Sequence, residues 1–150
     1  MTISLQYNNQ QTITTTMKAN ELMIGDWVRC RTDKKTFKVE QIDGIEEQVY
    51  GDDGFFVDIA DLEPIPITED FLEKNEYQRM EYTDPWSGKI HVQYMLEIGN
   101  MDSVIYVPDS HCLFAKHMLG ETFEIDNVKS VHEMQHALRI GEFNHININL

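Results

Sequence analysis

The chain is short of positive charge. Twelve lysines and arginines stand against 26 aspartates and glutamates, for a net charge of −14. Nucleic-acid phosphates are bound through Lys and Arg that displace counterions, so this balance argues against direct DNA or RNA binding, and equally against docking on an anionic membrane. Cysteine is scarce too. Cys30 and Cys112 lie far apart and form no C-x-x-C, which argues against a disulfide-stapled scaffold and for a reducing compartment. No apolar run is long enough to cross a membrane, and the first residues lack the charged and apolar regions of a signal peptide. A cytoplasmic location is the expectation. A Gly-rich phosphate loop, a Ser nucleophile elbow and a dinucleotide fingerprint are all missing.

What remains is an ordinary globular composition. With 41% hydrophobic and 25% charged residues over 150 positions, the chain can bury a core without staples, as one domain or two small ones. Residues 1–16 differ from the rest. Gln6, Asn8, Asn9, Gln10, Gln11 and Thr14-Thr15-Thr16 offer little to pack, so this stretch reads as a tail or as a strand added at an edge. Met17 is an alternative natural start.

From Gly25 to Ile67, within a first unit of residues 17–67, the pattern is a β-meander. Turn signals at Asp33-Lys34-Lys35, Asp43-Gly44 and Asp53-Gly54 separate four runs: Trp27 to Arg31, Thr36 to Ile42, one around Gln48-Val49-Tyr50, and Phe55 to Ile59. Asp-Gly pairs supply the positive φ that tight hairpins need. Phe37 and Val39 alternate with Lys38 and Glu40, although Gln41 and Ile42 spoil the end of that alternation. Pro64 and Pro66 confine the piece from Leu62 to Ile67 to an edge. Five short strands in so small a span predict an SH3-like β-barrel.

Residues 68–150 read as α+β, either a second unit or one compact body with the barrel. Thr68 caps a short helix through about Asn75, with Glu69 and Asp70 in its first turn. Strands follow at Tyr77 to Tyr82, Lys89 to Ile98, Ser103 to Val107 and Thr122 to Ile125, with 109–118 ambiguous between helix and strand. The main helix is expected from Asn127 to Ile140, ending at Gly141. The alternation of Ile146, Ile148 and Leu150 predicts a closing strand. The fold class is therefore α+β: an SH3-like barrel, then an antiparallel sheet with one main C-terminal helix.

Two features bear on function. Between Val39 and Glu73 there is no Lys or Arg. Some acids there serve turns. Glu40, Glu46, Glu47, Asp52, Asp53, Asp58 and Asp61 are the candidates for an acidic docking surface that meets a basic partner. A calcium loop from Asp52 to Glu63 fits poorly, because Val57 stands where such a loop requires Gly.

The second feature is His132-Glu133-Met134-Gln135-His136, an H-E-x-x-H match. On a helix, His132 and His136 are one turn apart, a spacing that lets two imidazoles hold Zn²⁺ while Glu133 activates water. A third ligand is missing: Arg139 and Glu142 stand where the metzincin pattern needs Gly and His, and His145 has nothing to fix it nearby. Val131, Met134 and Leu138 form the apolar stripe, which sends His132, His136 and Arg139 to the polar, solvated side. The motif therefore reads as a helix marker, with a minimal zinc hydrolase as the alternative. A thiol nucleophile built from His111, Cys112 and His117 is weaker still, since Cys112 adjoins Leu113-Phe114.

Met17-Lys18-Ala19-Asn20-Glu21-Leu22-Met23-Ile24-Gly25-Asp26-Trp27-Val28, Leu62-Glu63-Pro64-Ile65-Pro66-Ile67-Thr68 and Val131 to Leu138 resemble a group of small uncharacterised proteins. Gut Bacteroidales and their phages and mobile elements encode that group, and the resemblance covers residues 17–150. The group's closing helix reads V-H-x-L-Q with Asn in place of His136, which implies that the histidine pair is not shared. The resemblance carries over no activity, but a phage or mobile-element origin raises the weight of a host-interaction role. The expectation is a small acidic binding or accessory protein that acts through protein contacts and needs no cofactor. A counter-defence protein that binds a nucleotide or mimics DNA is a further alternative.

Overall fold

The structure, a computed structural model, describes residues 17–99 and 101–150, without the side chain of Asp53. The tail or edge strand expected over 1–16 lies outside the described residues.

The first unit holds six short strands: β1 (Trp27–Cys30), β2 (Thr36–Lys38), β3 (Gln41–Asp43), β4 (Gln48–Tyr50), β5 (Phe56–Asp58) and β6 (Leu62–Glu63). They form two antiparallel three-stranded sheets, in the orders β2-β1-β6 and β3-β4-β5. Val28, Phe37, Val39, Val49, Ile59 and Leu62 fill one core shared by both sheets, joined by Met17 and Leu22. The single strand expected from Thr36 to Ile42 is broken at Val39-Glu40. Val39 N donates to Asp26 O (2.9 Å), whereas Glu40 N donates to Tyr50 O (2.8 Å), so the chain leaves one sheet and enters the other. The flawed alternation at Gln41-Ile42 records that corner, where strands switch sheets by bending.

The two Asp-Gly signals part ways. Gly54 takes φ 72°, as a tight turn needs, but in the β3–β4 turn the left-handed residue is Glu47 (φ 53°). Asp43 organises that turn by accepting from Ile45 N and Glu46 N, both at 3.0 Å.

The second unit opens with α1 (Glu69–Lys74), capped by Thr68 Oγ1, which accepts from Phe71 N (3.2 Å). A meander of five antiparallel strands follows: β7 (Gln78–Thr83), β8 (Ile90–Ile98), β9 (Asp102–Val107), β10 (Cys112–Lys116) and β11 (Thr122–Ile125). The ambiguous stretch is strand β10. Leu113 pairs with Tyr106 and Ala115 with Val104, and all four are buried. Helix α2 (Val131–Ile140) covers this face with Val131, Met134, Ala137 and Leu138.

Helix α2 starts later than expected. Asn127 sits at φ 60°, Val128 N donates to His111 O (2.8 Å), and the N-cap is Ser130. Among the described residues, no strand pairs with the last ten. Ile146, Ile148 and Leu150 still pack on the core, because alternation marks a half-buried extended segment and does not name a neighbouring strand. Trp27 Nε1 donates to Ile148 O (3.2 Å) and Asn149 N to Asn75 Oδ1 (2.8 Å), which ties the segment down. The whole is α+β, and no helix among the described residues is long and apolar enough to cross a membrane.

Candidate functional site

The start of α2 explains Glu133. Ser130 Oγ accepts from Glu133 N (3.4 Å), while Glu133 Oε2 accepts from Ser130 N (3.2 Å) and Lys129 N (2.7 Å). This is a capping box, in which the third residue of the helix returns to satisfy N–H groups that have no helical partner.

The polar face of α2 corrects the sequence reading. It is only partly open to water and grips the loop that leads into β1. Gln135 Oε1 accepts from Trp27 N (2.8 Å) and Gln135 Nε2 donates to Gly25 O (2.9 Å). His136 Nε2 donates to the Asp26 carboxylate, at 2.8 Å from Oδ2 and 3.0 Å from Oδ1. Arg139 reaches Ile24 O (3.4 Å). Asp26 is 0% exposed and also accepts from Met23 N (2.8 Å). His132 is 6% exposed, with Nδ1 at 2.9 Å from Ser130 Oγ. Burial is the main cause that pushes its pKa below the ordinary histidine value, and His136 adds to the shift, against the opposite pull of Glu133, Asp26 and Glu21. Periodicity sends polar residues to solvent because it cannot see a partner more than a hundred positions away in the chain.

Each side chain of the H-E-x-x-H motif that could serve zinc chemistry thus has a partner of its own on at least one atom. The Glu133 carboxylate caps the helix, His136 holds Asp26, and the two imidazoles meet edge to face, 5.7 Å apart at 82°. A zinc centre needs both rings aimed at one point together with a third ligand. Among the described residues, the trio whose donor atoms lie within 4.8 Å of one another is Cys112, Glu124 and Asp126, and His132 and His136 belong to no such group. His145 is exposed beside Phe143. As arranged, these side chains fit a latch between the two units better than a metal centre. An aspartate that orients a histidine is also half of a general-base device. Among the described residues, no hydroxyl or thiol bonds the second nitrogen of His136 to complete it. The cleft beside the latch, between Trp27, Gln135, Arg139 and Asn147, holds about 160 Å³, below the ~300 Å³ at which small-molecule sites begin.

The thiol candidate disperses. Cys112 Sγ donates to Asp126 Oδ1 (3.0 Å), and that bond is the main cause raising its pKa, the opposite of what a nucleophile needs. His117 donates from Nε2 to Gly141 O (2.6 Å) and stacks on Phe143, with ring centres 4.3 Å apart.

The acidic candidates do come together. Glu40, Glu46, Glu47, Asp52 and Asp58 are exposed on the sheet β3-β4-β5 and its turns, and Asp61 is exposed in the short turn before β6, where its carbonyl accepts from Arg31 N (2.8 Å); the Asp53 side chain lies outside the described residues. Among the described residues none of these six joins a salt bridge, whereas nearby Glu63 is held by Arg29 (2.6 Å) and Lys34 (2.7 Å). Those two cations depress the Glu63 pKa, led by the bond from Lys34. The registers Gln41–Tyr50–Phe56 and Asp43–Gln48–Asp58 set two rows on the outer face of this sheet, while Ile42, Val49 and Val57 pack inward. Tyr50 and Phe56 lie 5.8 Å apart among the acids, with Phe56 58% exposed. Sequence reasoning found the charge and missed the aromatic pair. The two-residue alternation of Gln48-Val49-Tyr50 around buried Val49 carried that signal.

Compared with family models, curated proteins and solved structures, the chain matches none.

Proposed function

We propose that this chain is a small acidic binding protein of the cytoplasm, encoded by a phage or mobile element, that docks a basic protein partner on the outer face of β3-β4-β5. One observation carries the reading: six exposed acids that join no salt bridge among the described residues lie on or near the sheet that sets exposed Phe56 beside half-buried Tyr50. Unscreened charge of one sign steers a partner of the other, and an apolar centre within it supplies affinity. In this reading the two sheets around the core of Val28, Phe37 and Val49 constitute an SH3-like barrel, and the latch from α2 fixes the barrel to the rest of the chain. The two free thiols suit a reducing compartment. Catalysis through Glu133 with zinc on His132 and His136 is the weaker reading, since those groups already serve the cap and the latch.

A synthetic amphipathic peptide rich in Lys and Arg is the probe, titrated calorimetrically. The variant Glu46→Lys/Glu47→Lys/Asp61→Lys is expected to weaken binding about tenfold or more, and Phe56→Ala to weaken it as well. A control with the same charge change elsewhere, Glu97→Lys/Glu121→Lys/Glu142→Lys, is expected to bind nearly as the parent does. Equal losses in both triple variants contradict a built docking face and leave only bulk attraction.

A further inference from the structure

We propose that β7 is a dimerisation edge, which pairs antiparallel with β7 of a second copy about a twofold axis through Met80. Strand β7 ends the five-stranded sheet, all six of its residues are exposed, and among the described residues no strand pairs with its outer side. The other edge strands are shorter, at two to four residues. A long unpaired edge is a template for another strand.

The edge is carried on an arm. β8 pairs with β9 from Tyr94 to Ile98, while Ile90, His91 and Val92 pair with Thr83, Tyr82 and Glu81 of β7. Two-stranded ribbons are marginal alone, yet this one displays Met80, Tyr82 and Ile90 to solvent, with Trp86 at its tip 96% exposed. Apolar side chains gathered on a projecting edge mark a contact site.

The charge of the strand selects its occupant. Within the chain Arg79 bonds Glu81 and lies 3.7 Å from Glu69; in an antiparallel register centred on Met80, Arg79 also faces Glu81 of the second copy, and Glu81 faces that copy's Arg79, so each pair is shared across the axis. Opposite charges across a ladder favour pairing, and the twofold axis makes the pair occur twice. From Gln78 to His91 the charges of Arg79, Glu81, Asp84 and Lys89 cancel in a chain of net charge −14, so two copies can meet at the arm with little local repulsion. The opposite edge is unlike this: β11 carries Glu124 between Glu121 and Asp126, with no Lys or Arg among them. The same register places Tyr82 of the second copy across from Gln78. There it extends the cross-strand row Gln78–Met95–Ile105–Phe114 on the open sheet face.

Sedimentation velocity on the full chain, over a concentration series into the hundred-micromolar range, tests this. A reversible dimer is expected. Arg79→Glu or Glu81→Arg alone sets like charges opposite at both places and weakens association about tenfold or more. The exchange Arg79→Glu/Glu81→Arg restores the complement and the dimer. Circular dichroism melts of each variant separate a lost dimer from a lost fold. A monomer throughout the series overturns the proposal, as does a dimer indifferent to both single reversals.

Discussion

Asp26→Ala is expected to destabilise the protein by about 3 kcal/mol, read from urea unfolding followed by Trp27 fluorescence and by circular dichroism. The carboxylate is 0% exposed and accepts from His136 Nε2 and Met23 N, each at 2.8 Å. Its removal leaves two donors without an acceptor at the junction of the two units. Breaking one side of a buried pair costs ~3–5 kcal/mol. The lower end applies here, because the His136 side chain keeps 24% exposure and reaches water. His136→Ala leaves the buried carboxylate with Met23 N as its remaining donor and should cost a comparable amount. If the two residues act on each other, the double variant Asp26→Ala/His136→Ala costs less than the sum by about 1–2 kcal/mol. Strict additivity would place their stability effects elsewhere.

Gly141→Ala is expected to cost about 2 kcal/mol, although alanine is ordinarily the better helix residue. Gly141 has φ −76°, so left-handed backbone freedom is not why glycine stands there. Space is the reason. A Cβ at 141 would lie 2.5 Å from Ala115 Cβ and 3.3 Å from Ala137 O. Ala115 is fully buried on β10, between registers with β9 and β11, so relief requires α2 to lift from the sheet. Ala115→Gly in the Gly141→Ala background removes the obstructing methyl and should recover more than half of the lost melting temperature. A Gly141→Ala protein as stable as its parent would show that α2 does not pack this closely on β10.

These two sites show what the sequence tells and what it hides. Strands β1, β4 and β5 were legible because turn signals bracket them, and β9 because Val104 and Tyr106 are buried between partly exposed neighbours. Thr68 was legible as a helix end because its cap is local; Gly141 also ends α2, but at φ −76° and for want of space rather than as a left-handed cap. Asn127 misled, since an apolar stripe does not announce that its first turn is a left-handed residue followed by a separate Ser130 cap. The largest error lay on α2. His132 and His136 look like solvated residues or zinc ligands to any reading that stops at one helix, because their partners, Asp26 and the Ser130 cap, are supplied by distant chain and by backbone geometry. The two distinctive stretches, Gly25-Asp26-Trp27 and Gln135-His136, bond each other across the fold. That relation exists only in three dimensions. The acidic face was half legible: charge is composition, but the Tyr50–Phe56 pair at its centre comes from the register of β4 with β5.

The central claim is that His132-Glu133-Met134-Gln135-His136 caps and latches a helix, and the most direct measurement is zinc stoichiometry. Protein purified without a histidine tag, equilibrated with equimolar zinc and desalted, is to be assayed by elemental analysis beside the His136→Asn variant. The latch predicts no stoichiometric zinc in the parent and no difference in zinc between the two proteins. One zinc per chain in the parent, lost in His136→Asn, would contradict it and return the motif to catalysis.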